Sequence, residues 1–396
     1  MDIYEPAEDS YLLQKQVKQQ AIGRVLDVGT GSGIQALTAV LSPNVKEVIA
    51  VDINEEAVEK LRDKIRDQRL RKVKAVRSDL FDNVSGCFNL IIFNPPYLPQ
   101  DKGIEDAALY GGKKGWEISG RFFSKVSKYL FPDGKILFLF STLTNKERIE
   151  ELIEHNLFSW KEKEKLKLAF ETLYVYEVEK TPLLRELEKK NLYGLQYFTS
   201  GKRGMIYTAL LDRSSYIKTH LSKKDVVKVA IKVKKPESKA EGTIENEVRC
   251  LKLLNKKGLG PKLLFSDDSF FVYEFVEGVF LLDWLQTASK EAAVKVLDEV
   301  LQQCLLLDSL GLNKEEMHHP FKHVLIDAKQ KVTLLDFERC RETDKPHNAT
   351  QFLECLCRMQ KELEKKGIGI DVDQIRELAK EYKDTYDAKV LKNVLS

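Results

Sequence analysis

No apolar run in the chain is long enough to span a bilayer, so no membrane segment is expected. Cysteine is sparse, with six among 396 residues. None stands in a Cys-x-x-Cys pair, and only Cys355 and Cys357 lie close together. That scatter argues against a zinc ribbon or a disulfide framework and for a reducing, cytoplasmic compartment. Neither sign of charge is in real excess, since 64 Lys and Arg face 61 Asp and Glu for a net +3. No global field then draws the chain to nucleic acid or membrane, and neither is expected as a partner, although a local patch stays open. The opening Met1-Asp2-Ile3-Tyr4-Glu5 lacks the basic and apolar regions of a signal peptide. What the chain does have is 43% hydrophobic and 32% charged residues, the balance of a protein with real cores. Its length asks for two or three domains.

Strands and helices alternate through the first half. Helix is expected over 7–18, 34–41, 55–67, 117–129 and 145–155. Strands are expected over 24–28, 47–53, 73–80, 88–93 and 135–140, with a strand-like alternation over 166–178. Such βαβ repetition predicts an α/β doubly wound, mostly parallel sheet, which places ligands at the carboxyl ends of its strands.

The apolar strand 88–93 runs into Asn94-Pro95-Pro96-Tyr97. Two prolines end the strand, remove two backbone donors and leave the preceding carbonyls free to accept. The Asn94 side-chain oxygen and the Pro95 carbonyl form a rigid acceptor pair beside the aromatic face of Tyr97, which suits a planar NH2 group. By itself the stretch is also what a proline-stopped strand looks like. Its company decides the matter. The first strand ends in Val28-Gly29-Thr30-Gly31-Ser32-Gly33, where Gly29, Gly31 and Gly33 let a cofactor approach the backbone at a helix N-terminus. Asp52 ends the next strand, placed for a ribose diol, and Asp79 the third, placed for an adenine amino group. Either aspartate alone reads as a helix cap; the ordered set is a cofactor site.

On these motifs, residues 1–180 resemble class I S-adenosylmethionine-dependent methyltransferases with a Rossmann-like doubly wound sheet. They look most like the HemK-type glutamine methyltransferases of peptide-chain release factors. Tyr4-Glu5-Pro6-Ala7-Glu8-Asp9-Ser10, Ala108-Leu109-Tyr110-Gly111-Gly112 and Arg121-Phe122-Phe123 resemble the archaeal and eukaryotic branch. The resemblance implies methylation of a glutamine side-chain amide in a Gly-Gly-Gln tip, with a release factor as protein substrate and a small zinc-binding activator subunit as a further partner. The Asn-Pro-Pro-Tyr motif is shared with amino-methyltransferases of DNA and RNA bases, which stand as the alternative.

Thr181-Pro182 opens a charged helical stretch, so residues 181–192 are expected to be a helical connector. Beyond it come Ser200-Gly201-Lys202-Arg203-Gly204, Lys232 in Val229-Ala230-Ile231-Lys232, Glu247 on a helical pattern, Val272 to Gly278, and Leu334-Leu335-Asp336-Phe337-Glu338. In that order they resemble the glycine loop, phosphate-binding lysine, its glutamate partner, the hinge and the metal-binding aspartate of protein kinases. Residues 193–396 therefore look like an atypical, α+β protein-kinase-like domain. The resemblance implies ATP held by Gly201, Gly204, Lys232 and Glu247, and Mg²⁺ held by Asp336. The expected Asp of the catalytic loop is missing. Counting back from Val324 puts His318 at the base position and His323 at a second metal position; counting forward from Gly311 puts Glu316 at the base. Glu338 replaces the usual glycine after the Asp-Phe pair, and a nucleotide-binding pseudokinase is the other reading of this half.

Overall fold

The structure, a computed structural model, describes residues 4–100, 110–201, 204–213, 226–234, 243–392 and 394–395. The chain divides into two compact units, Met1–Tyr197 with Ala209–Val226, and Phe198–Thr208 with Val227–Ser396.

In the first unit, α1 (Glu8–Gln20) leads into β1 (Gly23–Val28), α2 (Ile34–Ala39), β2 (Val45–Asp52), α3 (Glu55–Asp67) and β3 (Val73–Arg77). After β4 (Phe88–Phe93) come α4 (Glu117–Val126), β5 (Leu130–Ser141), α5 (Lys146–His155), β6 (Phe158–Lys167), β7 (Thr172–Lys180) and α6 (Pro182–Lys189). The sheet order is β3-β2-β1-β4-β5-β7-β6. The first five strands in that order are parallel; β7 runs antiparallel to β5, and the edge strand β6 pairs antiparallel with β7 and so points the same way as the first five. β1 and β4 are buried along most of their length, which is why they read as near-continuous apolar runs. Chain order reverses between them, the position where doubly wound sheets open a crevice.

One face of the sheet packs aliphatic side chains against Leu13 and Val17 of α1, Ala36 of α2 and Leu61 of α3. The other is aromatic, with Phe93, Phe122, Phe123 and Phe138 in mutual contact at ring separations of 4.4–6.3 Å. Acidic Glu8 and Asp9 in the first turn of α1 and Lys18 in its last favour its dipole. The Asn54 side chain caps α3 by accepting from the Glu56 N–H.

Three expectations are corrected. The alternation over 166–178 is two strands and a turn, with β6 occupying the charged run before it. An exposed edge strand has no apolar face to announce it, and Trp160, stacked on Tyr176 at 4.4 Å, is its anchor. β3 stops at Arg77, because Ser78 to Leu80 turn away and Leu80 is left-handed at φ 48°. α4 ends at Val126, and Ser127–Tyr129 close it with a 3₁₀ turn.

The chain continues through β8 (Leu192–Ser200), β9 (Gly204–Asp212), β10 (Val226–Lys234), α7 (Thr243–Asn255), β11 (Leu263–Ser266) and β12 (Phe270–Glu274). These strands form a five-stranded sheet in the order β11-β12-β10-β9-β8. The division between the units falls inside the β8–β9 hairpin rather than at the connector, where α6 buries Leu184 and Leu187. The second unit goes on through β13 (Val279–Phe280), α8 (Leu281–Thr287), the long α9 (Lys290–Ser309) and β14 (Leu312–Asn313). β15 (Val324–Ile326), β16 (Val332–Leu334), β17 (Arg341–Glu342), α10 (Asn348–Arg358), α11 (Gln360–Glu364) and α12 (Val372–Thr385) complete it. One apolar core joins α7, α9, α10 and β15–β16. Among the described residues no helix is long and apolar enough to cross a membrane.

Candidate active site

The carboxyl ends of β1, β2 and β4 and the turn after β3 open on one cavity of about 240 Å³. Gly29, Gly31 and Gly33 all have positive φ, at 63°, 51° and 85°. A Cβ on Gly33 would sit 2.6 Å from Leu61, whereas at Gly29 and Gly31 it would meet nothing nearer than 3.8 Å. At those two positions the left-handed backbone, not crowding, requires glycine. The Gly31 N–H donates to Asp52 Oδ2 at 2.8 Å and the Asn54 N–H to Oδ1 at 2.9 Å. Both oxygens keep a lone pair for a diol. Beneath the turn lies Asp27, whose Oδ2 accepts from Thr30 Oγ1 at 2.6 Å and from the Ala36 N–H at 3.0 Å. Burial pushes the Asp27 carboxyl up to about 7.

At the other end stands Asn94. Its Nδ2 donates to Asp9 Oδ2 at 2.8 Å, while Asp9 Oδ1 accepts from the Tyr4 hydroxyl at 3.0 Å and from the Ser10 N–H. Asp9 is 3% exposed. The amide is therefore turned with Oδ1 on the other side, buried and without a hydrogen-bond partner among the described residues. No hydrogen bond falls on the Pro95 carbonyl among those residues either. Burial, and then Asp9, raise the phenol pKa of both Tyr97 and Tyr4, so both stay neutral. The loop is clamped from behind. Gly111 N–H donates to the Leu98 carbonyl at 3.0 Å, Thr144 Oγ1 to that of Tyr97 at 3.2 Å, and a Cβ on Gly111 would overlap the Pro96 and Gly115 carbonyls. Ala108 and Leu109 lie outside the described residues. Asp79 lines the cavity and is held by Arg121 at 2.6 Å.

A glycine cradle, a diol acceptor and an unanswered buried acceptor along one cavity fit S-adenosylmethionine at one end and an NH2 group at the other. Sequence reasoning had found Gly29, Gly31, Gly33, Asp52, Asp79, Asn94, Pro95 and Tyr97, and all of them line this cavity except Gly33, which starts α2 beside it. It quoted Tyr4, Asp9 and Arg121 only as marks of the resemblance and gave no site role to them or to Asp27. Asp9 reads locally as a dipole-favoured helix start, and nothing nearby in the chain points to Asn94, 85 residues away.

The second unit assembles a different cluster. Lys232 Nζ lies 2.6 Å from Glu247, 3.3 Å from Asp336 and 3.2 Å from Glu338. Burial pulls the ammonium toward neutrality, but the three carboxylates outweigh it and hold its pKa above the ordinary lysine value. Burial acts on Asp336 too, yet Lys232, Lys314 and His323 hold its carboxyl below the usual range. Asp336 is left-handed at φ 62°, a strained conformation for a residue with a side chain. His323 Nδ1 is 3.8 Å from Asp336 Oδ2. Lys314, fully buried, reaches Glu316 Oε2 at 3.0 Å and the Asp336 carbonyl, and its ammonium lies 5.0 Å over the Phe337 ring. Glu316 thus joins the Asp336 loop. His318 is exposed and turns instead to Glu315, His319 and Arg358. Gly204 lies against the root of Lys232, its missing Cβ 3.6 Å from that side chain, and the Gly201 N–H closes the turn on the Gly204 carbonyl. Lys202 and Arg203 lie outside the described residues.

The first unit's parallel sheet, glycine turn and strand-end acids are those of a class I S-adenosylmethionine-dependent methyltransferase, and residues 7–167 match the family described as "Methyltransferase small domain". A putative protein N5-glutamine methyltransferase of Methanocaldococcus jannaschii is 36% identical over 179 residues, covering 44% of this chain and 90% of that protein. Mouse "Methyltransferase HEMK2" is 35% identical over 169 residues, covering 38% of this chain and 76% of that one. A solved structure titled as the E. cuniculi Mtq2–Trm112 complex, which methylates the eRF1 termination factor, is 27% identical with TM-score 0.38. It spans 46% of this chain and all of that one. The chain belongs to the HemK-type protein N5-glutamine methyltransferase family.

Proposed function

We propose that the first unit methylates the side-chain amide nitrogen of a glutamine in the Gly-Gly-Gln tip of a peptide-chain release factor, in the cytoplasm. The observation that carries this reading is the buried Asn94 Oδ1, on the side of the amide away from Asp9 in a residue that lines the cavity, without a hydrogen-bond partner among the described residues. S-adenosylmethionine supplies the methyl group on a sulfonium, so the protein's part is placement and electrostatics. Gly29 and Gly31 let the backbone close on the cofactor's amino-acid end, Asp52 receives its ribose diol and Asp79 its adenine amino group. Asn94 Oδ1 and the Pro95 carbonyl take the two N–H bonds of the glutamine amide and turn its lone pair out of conjugation, with Tyr97 against its face. As nitrogen gains positive charge, both acceptors bind its hydrogens more strongly, a gain confined to the transition state. The new N–CH3 bond would replace the S–CH3 bond, whose electron pair stays with the sulfur, and the surplus proton would pass from the now more acidic nitrogen to water. No strong base is needed before attack.

The names of the relatives support a glutamine acceptor. A base amino group of DNA or RNA would satisfy the same two acceptors, so the test compares them directly. Tritiated methyl transfer should label a release factor and leave DNA and RNA unlabelled; label on nucleic acid alone would reverse the assignment. Running the assay with and without a small zinc-binding subunit tests the expected activator.

We further propose that the second unit binds ATP with Mg²⁺. The Lys232–Glu247 pair would hold phosphates, with Gly201 and Gly204 at the covering turn. Asp336 and His323 would hold the metal, and Glu316, rather than His318, would face a phosphate acceptor. The support is geometric: Lys232, Glu247, Asp336, His323 and Glu316 come from four separate stretches and meet around one point. Thermal stabilisation of the full chain at a nucleotide concentration about 100 times Kd should correspond to about 2.7 kcal/mol. No shift at millimolar Mg-ATP would reject it.

A further inference from the structure

Asp79 and Arg121 reach the cofactor cavity from separate elements, the turn after β3 and the middle of α4, and both line it. Arg121 Nη2 donates to Asp79 Oδ2 at 2.6 Å. Asp79 Oδ1 has no partner among the described residues. The two side chains are 37% and 45% exposed, so water could also serve each of them. Around them, Ile53, Leu80 and Ile118 offer apolar walls for a flat ring.

We propose that Arg121 is a positioning residue for cofactor specificity, fixing Asp79 so that Oδ1 reads the adenine 6-amino group. The inference rests on assigning this cavity to S-adenosylmethionine. A half-exposed aspartate alone rotates freely and is read poorly by a ligand. The planar guanidinium, held from α4, takes one oxygen and leaves the other aimed. A carboxylate offers only acceptors. The site then welcomes a donor at the purine 6-position and repels an acceptor there. The adenine meets a charge-balanced pair rather than a bare anion, which limits the desolvation that binding must overcome.

The same ion pair could merely clip α4 to the segment after β3. Lys125, one turn along α4, already makes such a clip to Asp82 at 3.4 Å. Arg121→Ala removes a clip in either case, so affinity alone does not separate the roles. Selectivity does, because a clip has no reason to sense the purine substituent.

The experiment measures binding of S-adenosylhomocysteine and its deaminated counterpart, S-inosylhomocysteine, to the full chain by calorimetry. The native protein should prefer the adenosyl form by about 100-fold, below the rejection reached where the unpaired group is fully buried. Arg121→Ala should cut that ratio by about tenfold or more, through weaker adenosyl binding with inosyl binding little changed. Arg121→Lys should restore part of the ratio, since it keeps the charge without the planar fork. Lys125→Ala should leave the ratio as in the native protein. A ratio unchanged in Arg121→Ala, or equal losses for both ligands, overturns the proposal. Should Asp79→Ala also keep the full native ratio, the adenine lies elsewhere and the cofactor placement itself fails. A ratio lost in Asp79→Ala but kept in Arg121→Ala refutes only the role of Arg121.

Discussion

Asp9→Asn changes one atom and should cost most of the turnover. In the native site Asp9 Oδ1 accepts from Tyr4 and Ser10, and Oδ2 accepts from Asn94 Nδ2. An asparagine has one oxygen for these three donors. If that oxygen stays with Tyr4 and the Ser10 N–H, its NH2 faces the NH2 of Asn94, two donors at 2.8 Å with nothing to accept. Asn94 relieves the clash by turning over, which presents Nδ2 rather than Oδ1 to the acceptor amide. One transition-state acceptor is then replaced by a donor. Loss of one such partner is worth about 2.7–4 kcal/mol, or roughly 10²–10³ in kcat. The cofactor end is untouched, so the Kd for S-adenosylmethionine should stay within about twofold, a difference of roughly 0.4 kcal/mol. Single-turnover transfer of tritiated methyl to a release factor, with cofactor binding measured separately, reads both quantities. An Asp9→Asn protein with native kcat would show that the orientation of Asn94 is set by something else.

Asn94→Ala should lower kcat by roughly 10²-fold or more while sparing cofactor affinity, checked in the same assay. Asp52→Ala should weaken S-adenosylmethionine binding by about 1–3 kcal/mol in calorimetry, the cost of a lost hydrogen-bonded charge contact. Asp27 has a folded pKa of about 7 against 3.8 for the free group, so the folded state holds the extra proton between those values. Stability then falls as pH rises through that window, by on the order of 4 kcal/mol at most. Asp27→Asn keeps the acceptor for Thr30 and Ala36 and removes the titration, so its Tm advantage over the native protein should widen from pH 4 to 8. Lys232→Met should abolish the thermal shift by Mg-ATP, and if phosphate is transferred, Glu316→Gln should stop it while His318→Ala should not.

How much of this was legible in the chain depended on whether a residue's role is local. The glycine turn, Asp52 and Asn94 each end a strand, and parallel strands carry their ends to one edge, so chain order alone brought them together. The central strands were legible because burial on both faces makes them continuously apolar. β6 was not, since an edge strand facing water carries alternating lysines and glutamates and no apolar signature. Asp9 was invisible for a related reason: its partner is set by how α1 packs, not by its neighbours. In the loop between β14 and β15 the spacing allowed two alignments, each satisfying one end. In the structure Glu316 pairs with Lys314 and His323 lies 3.8 Å from Asp336, so one residue from each alignment lies near the Asp336 loop. Nothing in the residues around Lys314 signals that it ties Glu316 to the Asp336 carbonyl.

If Asn94 and Pro95 hold the acceptor amide as proposed, their pairing also bears on how many times the enzyme can act on one nitrogen. A primary amide brings two hydrogens and can answer both oxygens. Once a methyl group replaces one hydrogen, the product can answer only one, and a buried carbonyl is left bare beside a bulkier group. Leaving such a group unsatisfied costs about 1–3 kcal/mol. That penalty falls on the product and not on the substrate, so it speeds departure after the first transfer and opposes a second. On that reading the two oxygens would count the hydrogens of the nitrogen they ready for attack, and the count would stop the reaction at a single methyl.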